Sequence, residues 1–335
     1  MKGGEHHYIE RGTGNVLRER LLGNAVIKAL YSSALENAPL ITRVASSRYV
    51  SRVLGHLNYD NLLSARATGM LKFLRDSGVD FSEFAGPPSE YETVRKIFER
   101  QIRYWECRPM PANRHAVVCP ADARVLLGSM AESSGLFVKQ KFFAFPELLG
   151  EGSPWHREFS DGDHAVFRLT PEKYHYTHAP VSGRVADIYT VDGRYHPCNP
   201  NAAVQLITPI SKNRRTVTIL DTSCQNGSAV GLVAMIEVVA LMIGCIEQRY
   251  CQQHYENPRE VAIGMMLERG APKALFRPGS STVVLLFQKG RIRFATDLIA
   301  NQCRSIGNRF SITLDQPPTE TDVKVRSILA VPAEE

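Results

Sequence analysis

Several protein classes are excluded by what this 335-residue chain does not contain. Its seven cysteines form no CxxC pair and no zinc-like spacing, so no metal site is predicted. Their number is odd and no signal peptide is recognisable, which makes a reducing cytoplasm the expected setting. The one long apolar run, Val230 to Ile246, carries Glu237 at its middle. An ionisable residue there is expensive in a bilayer, so two adjoining buried strands are predicted in place of a membrane span. No repeat, low-complexity segment or nucleic-acid-binding motif is present, and nucleic acid drops out as a partner.

Charge is distributed unevenly. Residues 1 to 75 hold 11 Lys and Arg against 5 Asp and Glu, which accounts for the whole formal charge of +6. A basic segment of this kind suits an anionic membrane surface, where each basic residue adds about 1 kcal/mol at most and salt screens it. Solvated helix faces explain it equally simply.

Hydrophobic periodicity divides the chain into two textures. Leu17, Leu21, Leu22, Ala25, Val26, Ala29 and Leu30 recur at helical spacing and predict an amphipathic helix from Asn15 to about Leu35. Further helices are expected over Arg48 to Leu63, Ala65 to Arg75 and Glu90 to Tyr104. After Arg108-Pro109-Met110-Pro111 short β-branched runs take over: Ala116 to Cys119, Ala165 to Leu169, Arg184 to Thr190, Thr216 to Asp221, Val230 to Ile246 and Thr282 to Phe287. The expected fold is α+β: an N-terminal helical region, 1–107, packed on a β-rich, mainly antiparallel catalytic core, 108–335.

Three separated segments place reactive groups beside turn residues: Pro120-Ala121-Asp122, Tyr174-His175-Tyr176-Thr177-His178-Ala179-Pro180, and Pro278-Gly279-Ser280-Ser281-Thr282-Val283-Val284. Asp, His and Ser are the components of an activated hydroxyl nucleophile. Each segment also has a plain structural explanation. Asp122 suits an Asx turn or a helix cap, the histidines suit a core or surface position, and Gly-Ser-Ser-Thr suits a turn into a strand.

Together and in this order the segments resemble the phosphatidylserine decarboxylase family. Phe98-Glu99-Arg100 with Arg108-Pro109 resembles the approach to that family's core. Val118-Cys119-Pro120-Ala121-Asp122 is similar to its Pro-Ala-Asp-Gly motif, and Lys139 with Pro146 to Gly150 is similar to its next block. Phe167 to His175, then His178 and Pro180, is similar to its Leu-x-Pro-x-x-Tyr-His-x-x-His-x-Pro signature. Asn213-Arg214, and Phe276 with Gly279 to Phe287, resemble its later blocks, including the Gly-Ser-Thr processing site. Three positions depart from the pattern. Ala123 replaces a Gly, Tyr176 replaces an Arg and so removes a cationic partner, and two serines stand where many members have one.

The resemblance implies a proenzyme that cuts itself between Ser280 and Ser281 into a β chain, 1–280, and an α chain, 281–335, with Ser281 converted to a pyruvoyl cofactor. The register of the following strand selects Ser281, and Ser280 is the alternative. It also implies His178 as general base, Asp122 as its orienter, and His175 as the acid that protonates the carbanion left by CO2. A Schiff base to the pyruvoyl ketone would supply the electron sink. The implied substrate is phosphatidylserine, giving phosphatidylethanolamine, with the enzyme in the cytoplasm or peripherally on the cytoplasmic face of a membrane. A homodimer is compatible. Two alternatives remain open: a pyruvoyl-dependent decarboxylase of a free amino acid, an aromatic one included, and an unprocessed lipid-binding homologue. A serine hydrolase built on Asp122, His178 and Ser281 is a poor third, since no Gly-x-Ser-x-Gly elbow is present.

Overall fold

The computed structural model describes residues 6–19, 76, 79–131, 144–194, 209–239, 245–278, 281–307 and 319–333. In chain order its strands are β1 His7–Glu10, β2 Val16–Arg18, β3 Val117–Val118, β4 Ala123–Ser129, β5 Asp163–Leu169, β6 Tyr176–His178, β7 Gly183–Val191 and β8 Arg215–Asp221. There follow β9 Leu232–Val239, β10 Ile246–Gln248, β11 Met266–Leu267, β12 Pro272–Phe276, β13 Ser281–Phe287, β14 Ile292–Phe294, β15 Thr321–Val323 and β16 Ile328–Pro332. The expected β-rich core is therefore present, with boundaries within a few residues of those read from periodicity.

Ten strands form one sheet in the order β11-β7-β8-β9-β13-β5-β4-β15-β1-β2. Its ladder is antiparallel except where β1 runs parallel to β15. Two three-stranded sheets, β10-β12-β6 and β14-β16-β3, complete the β structure among the described residues. The Val230 to Ile246 run holds one buried strand, β9; β10 only begins at its last residue, is half-buried and lies in a different sheet, so the two adjoining buried strands expected there are not found among the described residues.

Strand β13 explains why its sequence reads as an unbroken apolar run. It sits between β5 and β9 and is covered on both faces, so alternation gives way to continuous hydrophobicity. Val283, Leu285 and Phe287 enter one core with Phe167, Met235, Phe276 and Ala330. Val284 and Leu286 enter a second, on the opposite face, with Leu148, Phe159, Ile210 and Ile236. Burying each of these side chains contributes about 2 kcal/mol before chain entropy is charged against it.

The N-terminal expectation needs correction where it can be compared. The helix predicted from Asn15 does not start there: Val16–Arg18 is strand β2, paired with β1 in a hairpin. Gly14 turns that hairpin with φ +72°, a conformation glycine adopts without steric cost. Pairing of β1 with β15 ties the hairpin to the main sheet, and tertiary pairing overrides a helical spacing that propensity alone supports weakly. The remainder of that predicted helix, and those over 48–63 and 65–75, lie outside the described residues.

The helix expected over Glu90 to Tyr104 is two short ones, α1 Val94–Phe98 and α2 Tyr104–Cys107. Thr93 caps α1 by accepting the Lys96 N–H at 3.2 Å. Between the helices Ile102 bridges to Phe84, and the chain passes in extended form. Both helices belong to an aromatic cluster with Tyr174, Tyr176, Tyr255 and Leu275. Among the described residues no helix is long and apolar enough to cross a membrane.

Candidate active site

Ser281 opens β13, opposite Leu169 of β5 and Val239 of β9, so its backbone is held from both sides. The residue is fully buried. Its Oγ lies 3.5 Å from Nδ1 of His175, which is also fully buried. That separation is long for a hydrogen bond and short enough to tighten with a small rotation of the hydroxyl. Gly279 and Ser280, the upstream side of the junction, lie outside the described residues.

Two contacts fix the His175 ring. Its face stacks on Phe98 of α1, with centroids 3.5 Å apart and planes 13° from parallel. Its Nε2 is 3.4 Å from the Pro171 carbonyl. A proton on Nε2 directed at that carbonyl leaves the Nδ1 lone pair facing Ser281, the tautomer a base requires. Burial, reinforced by the Arg100 guanidinium, holds the His175 pKa well below the ordinary histidine value, so the ring is neutral near pH 7.

His178 is engaged elsewhere. Its Nδ1 faces the Gly270 carbonyl at 2.8 Å and its Nε2 faces the Tyr174 hydroxyl at 2.9 Å. Since a carbonyl only accepts, Nδ1 carries the proton and Nε2 accepts from Tyr174. Burial pushes this imidazole down to about 3. The Tyr174 oxygen in turn accepts from the Tyr255 hydroxyl at 2.7 Å, and the Tyr255 oxygen accepts from the Ile102 N–H at 3.2 Å. Tyr255 holds φ +66°, flanked by His254 at +44° and Asn257 at +46°. Left-handed backbone in a bulky buried residue is costly and marks a loop held by its surroundings. The same loop lines a groove of about 720 Å³ with Cys251, Gln253, Glu256 and Arg259.

Asp122 precedes β4 and reaches neither histidine. Arg108 grips it with Nε to Oδ1 at 3.1 Å and Nη2 to Oδ2 at 2.7 Å, and the Val325 N–H donates to Oδ1 at 2.8 Å. Burial alone would raise its pKa, but the Arg108 charge and these hydrogen bonds outweigh burial and hold it below the usual aspartate value. Arg108 also binds both oxygens of Glu83 at 2.8 Å. The four residues picked from sequence thus converge only in part: Ser281 meets His175 directly, His178 is bound to Tyr174 and the Gly270 carbonyl, and Asp122 is in an ion pair of its own.

Two sequence departures are also resolved. Ala123 begins β4 without a left-handed backbone, so the turn after Asp122 tolerates a Cβ. Tyr176 lies in the aromatic cluster, and the cations near these residues are Arg108 at Asp122 and Arg100 beside His175. Tyr255, Gly270 and Val325 had no signal in the sequence, because their contribution is a position in space rather than a motif.

Among the described residues one other cluster gathers ligand-type atoms: His6, Glu19 and Glu320, all buried. Arg168 already binds both carboxylates, with Nη1 to Glu19 and Nε to Glu320 each at 2.9 Å, so the cluster is an ion-pair network neutralised by protein.

Comparison with known proteins accords with this constellation. The family model described as phosphatidylserine decarboxylase matches residues 94–310, which include every residue of the site except Glu83 and Val325. A phosphatidylserine decarboxylase proenzyme of Chlamydia trachomatis is 29% identical over 322 residues, covering 93% of this chain and 100% of that protein. Those of Fusobacterium nucleatum and Bordetella petrii are 26% and 32% identical, covering 90% and 75% of this chain and 94% and 88% of theirs. A match that spans the strands and loops bringing Ser281 to His175 is one of whole architecture, and this chain belongs to the phosphatidylserine decarboxylase family of carboxy-lyases.

Proposed function

We propose that this chain is a self-cleaving proenzyme that cuts before Ser281 and then decarboxylates phosphatidylserine to phosphatidylethanolamine and CO2 at the peripheral surface of a membrane. The observation that carries this reading is the Ser281 Oγ, buried at the head of a central strand, 3.5 Å from the basic nitrogen of a neutral histidine.

In the cut, His175 takes the hydroxyl proton as Ser281 Oγ attacks the carbonyl carbon of Ser280. The peptide C–N bond is exchanged for an ester, and the proton passes to the released amine. β-Elimination then frees the upstream carboxylate, and hydrolysis of the dehydroalanine releases ammonia and leaves a pyruvoyl group. The resemblance gave the base role to His178 with Asp122 behind it. The contacts favour His175, because both nitrogens of His178 are engaged and Asp122 is bound to Arg108.

The site suits a pyruvoyl group at residue 281. Its backbone is gripped by β5 and β9, and a buried imidazole stands at the hydroxyl that would leave with the upstream carboxylate before the α-carbon becomes the ketone carbon. Such a ketone supplies the electron sink that ordinary side chains lack. His175 is placed to return a proton to the carbon that loses CO2, and its burial with Phe98 keeps competing water out.

Intact mass spectrometry under denaturing conditions, followed by assay, tests the reading. Two chains split before Ser281, with turnover of phosphatidylserine in mixed micelles, are expected. A chain of full mass, or turnover of free amino acids in place of the lipid, would overturn it.

A further inference from the structure

The hairpin of β1 and β2 lies near the start of the chain, yet the groups it reaches for come from the end. β1 runs parallel to β15, with Ile9 opposite Thr321. The Ile9 N–H donates to the Glu320 carbonyl at 2.9 Å, and the Arg11 N–H to the Asp322 carbonyl at 3.2 Å. His6 Nε2 meets Glu320 Oε2 at 2.7 Å, and His7 Nδ1 meets the Gly307 carbonyl at 2.7 Å. Arg11 forms a bidentate pair with Asp297, Nε to Oδ2 at 2.6 Å and Nη2 to Oδ1 at 2.9 Å, and its Nη1 donates to the Ile328 carbonyl. Arg304 Nη1 donates to the Gly14 carbonyl at the hairpin turn, at 3.2 Å. All of these partners lie downstream of Ser281.

The hairpin is rooted elsewhere, in the body of the sheet. Glu19, just past β2, is ion-paired with Arg168 of β5 at 2.7 Å and with Arg124 of β4 at 2.5 Å. The Tyr8 ring lies 3.8 Å from the Arg124 guanidinium. Arg168 also binds Glu320 at 2.5 Å, so one buried guanidinium joins the hairpin, β5 and the approach to β15. Root and reach thus fall on opposite sides of the proposed cut.

Two consequences follow from that placement. β15 is three residues long, and without the hairpin it would be an edge strand held by β4 alone. The buried Arg124 and Arg168 guanidiniums would also lose Glu19, and an ion pair broken from one side in a buried setting is costly. While the chain is whole, a covalent bond keeps the downstream part close. Once it is cut, contacts alone hold the small chain to the large one, and beyond β13 the hairpin supplies a share of them.

We infer that the N-terminal hairpin is a clasp. Rooted on the large chain through Glu19, it grips the part of the small chain beyond β13 through Arg11, His6 and the pairing of β1 with β15, and so retains the small chain after the cut. This rests on the reading that the chain cuts before Ser281. A cut one residue upstream gives the same partition, and the identity of the base does not enter.

Exchange of small chains tests the clasp. Isotope-labelled cut protein is mixed with unlabelled cut protein in urea raised until the wild-type small chain swaps measurably between large chains, and aliquots freed of urea are read by native mass spectrometry. Arg11→Met keeps the stem and removes the fork, and with Arg11 and Asp297 side chains 18% and 51% exposed it is expected to fold. Deletion of residues 1–14 removes β1 entirely. Ile219→Val, in the core packed on β8 and away from the hairpin, controls for a general loss of stability. Interface changes act mainly on dissociation, so exchange is expected to be at least about tenfold faster in Arg11→Met and in the deletion, and near the wild-type rate in Ile219→Val. Wild-type exchange by Arg11→Met overturns the inference, and so does an equal acceleration by Ile219→Val. If the deletion does not fold, Arg11→Met decides alone. A wild-type protein that runs as one chain under denaturing conditions removes the underlying reading instead, before any variant is compared.

Discussion

The Val325 N–H donates to Asp122 Oδ1 at 2.8 Å, across 203 residues of sequence. Under the proposed cut, the acceptor belongs to the upstream product and the donor to the downstream one. The hydrogen bond thus couples the aspartate of the family motif to the register between the two future chains. Arg108 supplies the compensating charge that lets a carboxylate sit there ionised.

Asp122→Asn should be destabilising by about 3 kcal/mol, because it leaves the Arg108 guanidinium partly uncompensated in a buried setting and turns an amide N–H₂ towards its donors. Urea unfolding on the uncuttable Ser281→Ala background keeps both proteins single chains and makes the comparison clean. A loss under about 1 kcal/mol would show that Glu83 alone satisfies Arg108.

Replacing Ser281 by Ala should abolish cutting, while replacing Ser280 by Ala should leave the same new terminus at residue 281. Intact masses of both purified variants decide the register. A cut that survives in Ser281→Ala and disappears in Ser280→Ala would move the nucleophile one residue upstream.

His175→Gln should slow cutting by at least about a hundredfold, the usual contribution of a positioned base, and His178→Gln by less. Because the His175 pKa lies well below the ordinary histidine value, the wild-type rate should stay level as pH falls through the usual histidine range and decline only in stronger acid. A greater loss in His178→Gln would return the base role to His178, and a midpoint near about 6.5 would show that neither buried imidazole is the titrating base.

Stability should fall with acid in a definite window. His178 titrates at about 3 when folded, below the unfolded value of about 6.5, so the unfolded chain binds the extra proton and stability rises with pH between the two values. The stabilisation is complete above the unfolded value and is lost as pH drops towards the folded one. From pH about 6.5 to about 5 the loss from this residue alone is about 2 kcal/mol. Unfolding of the uncuttable chain at several pH values, compared with His178→Gln, measures it; equal slopes would show that His178 is solvated.

After cutting, the two chains should migrate as one body. β13 of the downstream chain lies between β5 and β9 of the upstream chain, β15 between β4 and β1, and β16 beside β3. The interface is largely apolar, so about 1 M salt, which collapses the screening length to a few ångströms, should not separate them. Size-exclusion chromatography at low and high salt checks this, and separate elution in salt would point to the ion pairs around Arg168 as the principal link.

Sequence alone determined the chemistry-bearing segments and several strands of the β-rich part, because both are written in local terms, whereas the order of the strands in the sheet was not legible there. β-Branched runs between turn residues specify strands, and the apolar Thr282 to Phe287 run marked a strand that belongs in the shared sheet. Glu237 was legible only as a residue out of place in such a run. Which histidine stands beside Ser281 was decided by tertiary structure, since residues 175 and 178 differ by one turn of backbone alternation, and only packing of Phe98 beneath one and Tyr174 beside the other separates them. The same holds for Val16–Arg18, whose helical spacing gave way to pairing in a sheet completed by residues 321–323. Local periodicity fixes which face of a segment is apolar; the partner that covers it comes from contacts hundreds of residues away, and those contacts aim the side chains that carry out the reaction.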